Sequence, residues 1–163
     1  MKRIVFAGGC FWGVEAYFER VEGVSKTRVG YIAGRKKAPS YEEVCAGSGH
    51  AEAVEITYDE EKVPLSVLLA HYFNIVDATK KNRQGPDIGV QYRSGIYNYE
   101  EEDVPVIEEA MEKEKEQKKK PLHLELLAEE IFYEAEEYHQ DYLEKNPGGY
   151  CHVDLGSSDR VKE

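Results

Sequence analysis

The stretch Gly8-Gly9-Cys10-Phe11-Trp12-Gly13 carries a cysteine, the side chain best suited to nucleophilic and redox chemistry. An apolar run, Ile4-Val5-Phe6-Ala7, precedes it, and apolar residues at helical spacing, Val14, Tyr17, Phe18 and Val21, follow it. Strand, glycine turn and helix is the order this implies, with Cys10 at the first turn of the helix. Unpaired backbone N–H groups and the positive end of the helix dipole gather there and favour a thiolate. A thiol so placed is expected to ionise below the free value of about 8.5. The glycines allow a sharp bend and leave the sulfur uncrowded, and two aromatics directly after it supply an apolar wall. The same pattern also describes a small, inert cysteine buried in a strand-to-helix corner. At this point both readings stand.

Two further side chains can serve such a sulfur. Ser40-Tyr41-Glu42-Glu43 has the S-x-x-E spacing of a capping box, which starts a helical turn and fixes Tyr41 in it. The phenol is then either held over a pocket or laid on the surface. From Glu52 to Asp59 the chain alternates as a strand does, with Glu52, Val54, Ile56 and Tyr58 on one face. A carboxyl on an apolar face is pushed toward its neutral form and can then donate a proton. If the strand end reaches water instead, Glu52 is an ordinary carboxylate. The connection from Asp77 to Gln91 is long enough to be functional, and carries Asn82-Arg83-Gln84-Gly85-Pro86-Asp87.

The elements that must position these residues alternate in type. A strand over Val24–Tyr31 follows the first helix, and Pro64 opens an amphipathic helix through Leu65, Leu68, Leu69, Tyr72, Phe73 and Val76. His71 lies off that stripe and is expected to be exposed. Tyr92 to Tyr97 reads as a strand, about Asp103 to Lys119 as a charged helix, Leu122 to Leu126 as a strand, and Phe132 to Leu143 as a final helix. Asn146-Pro147-Gly148-Gly149 then breaks the pattern before a tail beginning Tyr150-Cys151-His152. A thiol on a glycine-hinged tail can swing toward Cys10, and a disulfide requires Cα atoms within about 7 Å. The order predicts an α+β fold: a mixed β-sheet with a split βαβ, ferredoxin-like core, helices packed on the sheet, long irregular loops and a C-terminal tail. Residues 1–163 read as a single domain, with 146–163 a mobile tail.

Composition narrows the function. A net charge of −11 disfavours nucleic acid, since phosphate binding needs a basic face. The one basic cluster, Lys118-Lys119-Lys120, suits a helix C-terminus. No run approaches the ~20 apolar residues of a membrane span, and the N-terminal apolar run is too short for a signal peptide, so a cytoplasmic location is expected. Three cysteines, Cys10, Cys45 and Cys151, are too few for a secreted disulfide scaffold. Neither CxxC nor HxxxH spacing occurs, so no metal is expected; a set drawn from the cysteines with His50 and His139 has no supporting spacing.

Several of these segments resemble one family. Gly9-Cys10-Phe11-Trp12-Gly13 is similar to the signature of the A-type peptide methionine sulfoxide reductases. Ser40-Tyr41-Glu42-Glu43-Val44-Cys45, Gly49-His50-Ala51-Glu52, Asn82-Arg83-Gln84-Gly85, Gln91-Tyr92-Arg93-Ser94 and Ala135-Glu136-Glu137-Tyr138-His139-Gln140 resemble it too, in family order. The resemblance implies that Cys10 attacks the sulfur of an S-epimer methionine sulfoxide and becomes a sulfenic acid. Glu52 would give the proton to the oxygen, assisted by Tyr41 and Tyr92, with Asp87 organising the network. Phe11 and Trp12 would hold the methyl group. Cys151 would resolve the sulfenic acid as a Cys10–Cys151 disulfide that thioredoxin, or dithiothreitol, reduces, with no bound cofactor. Cys45 would be structural. No second cysteine follows Cys151, which implies direct handover to thioredoxin. Oxidised proteins would be the substrates, and a monomer is expected. Two rivals remain: a thiol hydrolase in which His50 or His139 activates Cys10, and a redox sensor in which Cys10 and Cys151 switch without turnover.

Overall fold

Among the described residues, six strands form one mixed sheet whose centre is β1 (Lys2–Ala7) beside β3 (Ala51–Tyr58). The computed structural model describes residues 1–35 and 37–161. From β1 the chain enters α1 (Phe11–Glu19) and returns as β2 (Val24–Ile32). A short α2 (Tyr41–Cys45) precedes β3, which inserts antiparallel between β1 and β2. Next come α3 (Leu65–Ile75), a two-stranded hairpin of β4 (Arg83–Gln84) and β5 (Asp87–Ile88), and then β6 (Ser94–Tyr97) on the other side of β1. The strand order β6-β1-β3-β2 with crossovers through α1 and α3 is the split βαβ arrangement that the element order predicts. The helix α4 (Val104–Lys118) leads to β7 (Leu124–Leu127), parallel to β6, and β8 (Tyr133–Glu134) closes the far edge on β2. A single turn of helix, α5 (Tyr142–Lys145), ends the periodic structure before the tail.

The helices bury one face of the sheet. Ile4 and Phe6 of β1 and Val54, Ile56 and Tyr58 of β3 pack with Phe18, Leu68 and Tyr72 in a core dense in aromatic rings. A smaller cluster, including Val5, Ala53 and Tyr97, occupies the other face. The capping box at Ser40 is present in both directions: Ser40 Oγ accepts from Glu43 N–H, and the Glu43 carboxylate accepts from Ser40 N–H. The lysine cluster does end α4, with Lys119 adopting a left-handed conformation after Lys118.

Two expectations from periodicity are corrected. His71 is buried, not exposed, and its Nδ1 pairs with the Tyr17 hydroxyl at 2.6 Å, tying α3 to α1. The helix over 132–143 does not form. Its groups serve β2 instead: the Ala135 backbone N–H donates to Val29 O, and the Gln140 side-chain amide both donates to Val29 O and accepts from Val29 N–H. A segment that satisfies a neighbouring strand has no need of its own helical ladder.

The end of β1, from which the cysteine turn departs, is held by one phenol. Tyr72 on α3 donates to Ala7 O at 2.7 Å and accepts from Gly95 N–H at 3.2 Å, fully buried. Tyr72→Phe is expected to destabilise the protein by about 1–3 kcal/mol, the cost of leaving such buried groups unpaired. Urea unfolding measures this, and an unchanged midpoint would contradict the role given to the hydroxyl.

Candidate active site

Cys10 takes the N-cap position of α1 in extended conformation, and its residue is buried. The bend before it depends on Gly9, whose φ of +82° is in the left-handed region, and whose N–H donates to Tyr92 O at 3.1 Å. That bond brings the short 3-10 turn Val90–Tyr92 against the cysteine turn.

Glu52 comes up from below. It opens the central strand β3 opposite Tyr31 of β2 and is 1 % exposed. Its Oε1 accepts the N–H of Phe11, the residue after Cys10, at 3.2 Å, so the carboxyl is pinned within one peptide of the cysteine. Its Oε2 is buried with no hydrogen-bond partner among the described residues. Burial pushes the Glu52 pKa up to about 8, against the lowering effect of the Phe11 N–H, and the Asp87 charge adds to the rise. The carboxyl is therefore mostly protonated at neutral pH, and the alternative of a solvent-reaching carboxylate is set aside.

The thiol does not behave as its helix position alone suggests. Burial, then the nearby Glu52, push the Cys10 pKa well above its ordinary value; the Trp12 N–H of the helix terminus pulls the other way and loses. The resting sulfur is a neutral thiol. A helix end contributes a fraction of a charge, whereas burying an anion costs more than that fraction recovers.

Tyr41 and Tyr92 complete the polar ring. Burial first, then Glu52, raise both phenol pKa values, so both hydroxyls keep their protons and can donate. Tyr41 stacks on Phe11 with ring centres 6.5 Å apart, so the phenol fixed by the capping box lies over the site and not out on the surface. Asp87 is within electrostatic reach of Cys10, Glu52 and Tyr92, and its Oδ2 accepts the Tyr150 hydroxyl at 2.9 Å. Burial and that bond raise the Tyr150 pKa to about 12.

The aromatic wall is built from behind. Phe11 is buried among Tyr31, Tyr41 and His139. Trp12 lies flat on Tyr142 at 3.8 Å, and its indole N–H donates to His139 Nδ1 at 2.9 Å. Accepting that bond fixes His139 in the neutral tautomer with its proton on Nε2; burial lowers its pKa in the same direction. Both imidazoles named for a hydrolase are thus engaged elsewhere, His139 by Trp12 and His50 by Ser48 and the Tyr133 ring.

The tail brings two side chains to the site, Cys151 as expected and His152, which the sequence reading did not single out. Cys151 is half-buried against α1, with its sulfur 3.1 Å from where a Cβ on Gly13 would stand; its thiol donates to Val153 O. His152 lies across Gly9. Cys45 is exposed at the end of α2. All three cysteines are free thiols. The acidic trio Glu15, Glu19 and Asp141 comes together away from Cys10, with Glu15 accepting from Asp141 N–H and the Thr27 hydroxyl. Among the described residues no helix is long and apolar enough to cross a membrane.

Comparison with known proteins bears on what this arrangement is for. Residues 2–163 match the family model described as peptide methionine sulfoxide reductase. The chain is 55 % identical to "Peptide methionine sulfoxide reductase MsrA" of Clostridium acetobutylicum over 94 % of its own length and 95 % of that protein. To the protein of the same name in Alkaliphilus metalliredigens it is 56 % identical, over 95 % of this chain and 99 % of the other. Among solved structures, reduced Mxr1 from Saccharomyces cerevisiae superposes with a TM-score of 0.87 at 34 % identity, covering 94 % of this chain and 90 % of that one. Methionine sulfoxide reductase A of Corynebacterium diphtheriae gives 0.82 at 34 % identity, covering 93 % and 77 %.

The Glu52 shift has a consequence for stability. Between about pH 4.5 and 8 the folded protein holds a proton that the unfolded chain has released, so this group's stabilising contribution is full below pH 4.5 and is lost as pH rises through 8. Glu52→Gln, permanently neutral, should lose less melting temperature than the wild type between pH 5 and 9. Parallel melting curves for the two across that range would refute the buried acid.

Proposed function

The chain belongs to the peptide methionine sulfoxide reductase family, and from that premise we propose how its own residues carry the reaction. It is an oxidoreductase that reduces methionine sulfoxide. The observation that carries the reading is Glu52: one carboxyl oxygen is pinned by Phe11 N–H, and the other is buried without a hydrogen-bond partner among the described residues, an environment that raises its pKa to about 8.

Sulfoxide oxygen cannot depart as an oxide, so it needs a proton, and Glu52 gives it. Tyr41 and Tyr92, both neutral, donate hydrogen bonds to the same oxygen as charge develops. The carboxylate that Glu52 becomes then takes the Cys10 proton, and the Cys10 sulfur attacks the sulfoxide sulfur, with the following net change. A Cys10 S–O bond forms and the sulfoxide S–O bond breaks. Cys10 is oxidised by two electrons to the sulfenic acid, and the substrate is reduced by two to methionine. Phe11 and Trp12 form the apolar seat for the methyl group, held in place by Tyr142 and His139. Asp87 organises the polar groups at the mouth of the site.

Cys151 then resolves the sulfenic acid as a Cys10–Cys151 disulfide, with residues 146–163 acting as the arm of a single catalytic domain. Thioredoxin reduces that disulfide, and dithiothreitol substitutes for it; no bound cofactor takes part. Support comes from the free thiols at both positions, from Cys151 resting against the first turn of α1, and from relatives named MsrA, since separate enzymes serve the two sulfoxide epimers. The substrate is accordingly the S epimer in oxidised proteins, and the protein works as a cytoplasmic monomer without nucleic acid or membrane.

Separate S and R sulfoxide peptides with dithiothreitol test this directly. Only the S epimer should be reduced, and Cys10→Ser should abolish turnover; equal use of both epimers would overturn the assignment. Cys151→Ser should release one equivalent of methionine and then fail to recycle with thioredoxin. The chemical step should fall as pH rises through about 8, where Glu52 loses its proton, and that limb should vanish with a reduced rate in Glu52→Gln.

A further inference from the structure

The histidine next to Cys151 has no place in the reaction as derived so far. The His152 side chain is 6 % exposed, and neither ring nitrogen has an aligned hydrogen-bond partner among the described residues. Burying an imidazole whose nitrogens lack well-aligned hydrogen bonds is costly. It is also specifically placed. Its Nε2 lies 2.5 Å from where a Cβ on Gly9 would stand, so the ring occupies the space that Gly9 leaves empty beside Cys10. Its Nδ1 and the Cys151 sulfur converge over Gly13, 3.5 and 3.1 Å from the position of a Cβ there. Nδ1 is also 3.9 Å from Asp87 Oδ2.

We propose that His152 is the general base of the resolving step. It takes the Cys151 thiol proton as that sulfur attacks the Cys10 sulfenic acid, and gives the proton to the departing hydroxyl. The inference rests on the sulfenic acid chemistry above. The balance closes without another reagent: the Cys10–S to Cys151–S bond forms, the Cys10 S–O bond breaks, and the Cys151 proton with the departing OH makes one water. Cys151 is oxidised by one electron and the Cys10 sulfur is reduced by one. Asp87 stabilises the imidazolium that exists between the two transfers, as a carboxylate does for a histidine base elsewhere.

The groups facing His152 set its proton affinity. Asp87 comes from β5, Tyr150 and Cys151 from its own segment, and Cys10 from the residue after Gly9; Gln84 of β4 and the Gly8 main chain are neutral. Burial lowers the His152 pKa below its ordinary value of 6.5, partly offset by Asp87 and by Gly8. The ring is therefore an unprotonated base at neutral pH, as the step requires. The arrangement also gives Gly9 and Gly13 separate purposes, the first making room for the base and the second for the attacking sulfur.

Reduced enzyme mixed with excess S-sulfoxide peptide in the absence of reductant separates the steps, with methionine release reporting the first and thiol loss the second. In the wild type the rate of disulfide formation should rise with pH through a midpoint below 6.5. In His152→Gln it should be at least about tenfold slower at pH 7, relative to methionine release in the same reaction. The rise through a midpoint below 6.5 should be absent from that variant. His152→Ala should regain rate when imidazole is added, a rescue that a merely structural role would not give. Disulfide formation in His152→Gln with wild-type rate and pH dependence overturns the proposal while leaving the reductase reading intact. Absence of methionine release from the wild type overturns both.

Discussion

A carboxyl group buried at the end of the central strand is the constraint around which the site is arranged. Glu52 is fixed there by register, since β3 lies between β1 and β2 and its first residues sit beneath the N-terminus of α1. The Phe11 N–H holds one oxygen, and the surrounding rings exclude the water that would ionise the other. Each neighbouring acid is kept neutral as well, because an anion on Cys10, Tyr41 or Tyr92 would face burial first and, once Glu52 has ionised, the Glu52 charge too. The site stores protons, and a substrate that must lose an oxygen draws on such a store.

The glycines of the cysteine turn show how a backbone requirement and a docking requirement coincide. Gly9 is needed for its positive φ, and a side chain there would also collide with His152. Gly13 has no conformational need of its own, yet a Cβ there would crowd the Cys151 sulfur. The spacing of the two around Cys10 thus belongs as much to the tail as to the turn. A sequence pattern that looks local is written by a segment more than a hundred residues away.

That difference between local and remote causes decides how much was legible beforehand. The capping box at Ser40, the strand–turn–helix around Cys10 and the apolar face carrying Glu52 depend on neighbouring residues, and the structure shows each of them. The split βαβ order followed from the same signals. The ionisation of Cys10 did not, because the helix terminus is visible in sequence while the burial and the carboxyl that outweigh it arrive from β3. His71 was placed on the exposed side by periodicity, but the Tyr17 hydroxyl gives it a buried partner. The segment 132–143 has helical spacing, and Val29 on β2 claims its hydrogen bonds. For the ring of His152 only its adjacency to a cysteine was readable; its seat against Gly9 required the fold.

The order of the two acidities at the centre has a chemical consequence. Glu52 ionises before Cys10, since its pKa is about 8 and that of the thiol lies well above its ordinary value. Deprotonating the resting site therefore removes the donor before it creates the nucleophile, so raising pH alone does not switch the enzyme on. On the mechanism proposed above, a sulfoxide reverses the order: by accepting the Glu52 proton it leaves a carboxylate one peptide away from the thiol, and that carboxylate is the base Cys10 otherwise lacks. In the proposed reaction donor and base are one group used in succession, and the nucleophile forms only when its target is in place. Between turnovers the sulfur is a buried thiol, and thiols react with oxidants far more slowly than thiolates do. The burial that makes Glu52 an acid thus also keeps that sulfur in its less reactive form.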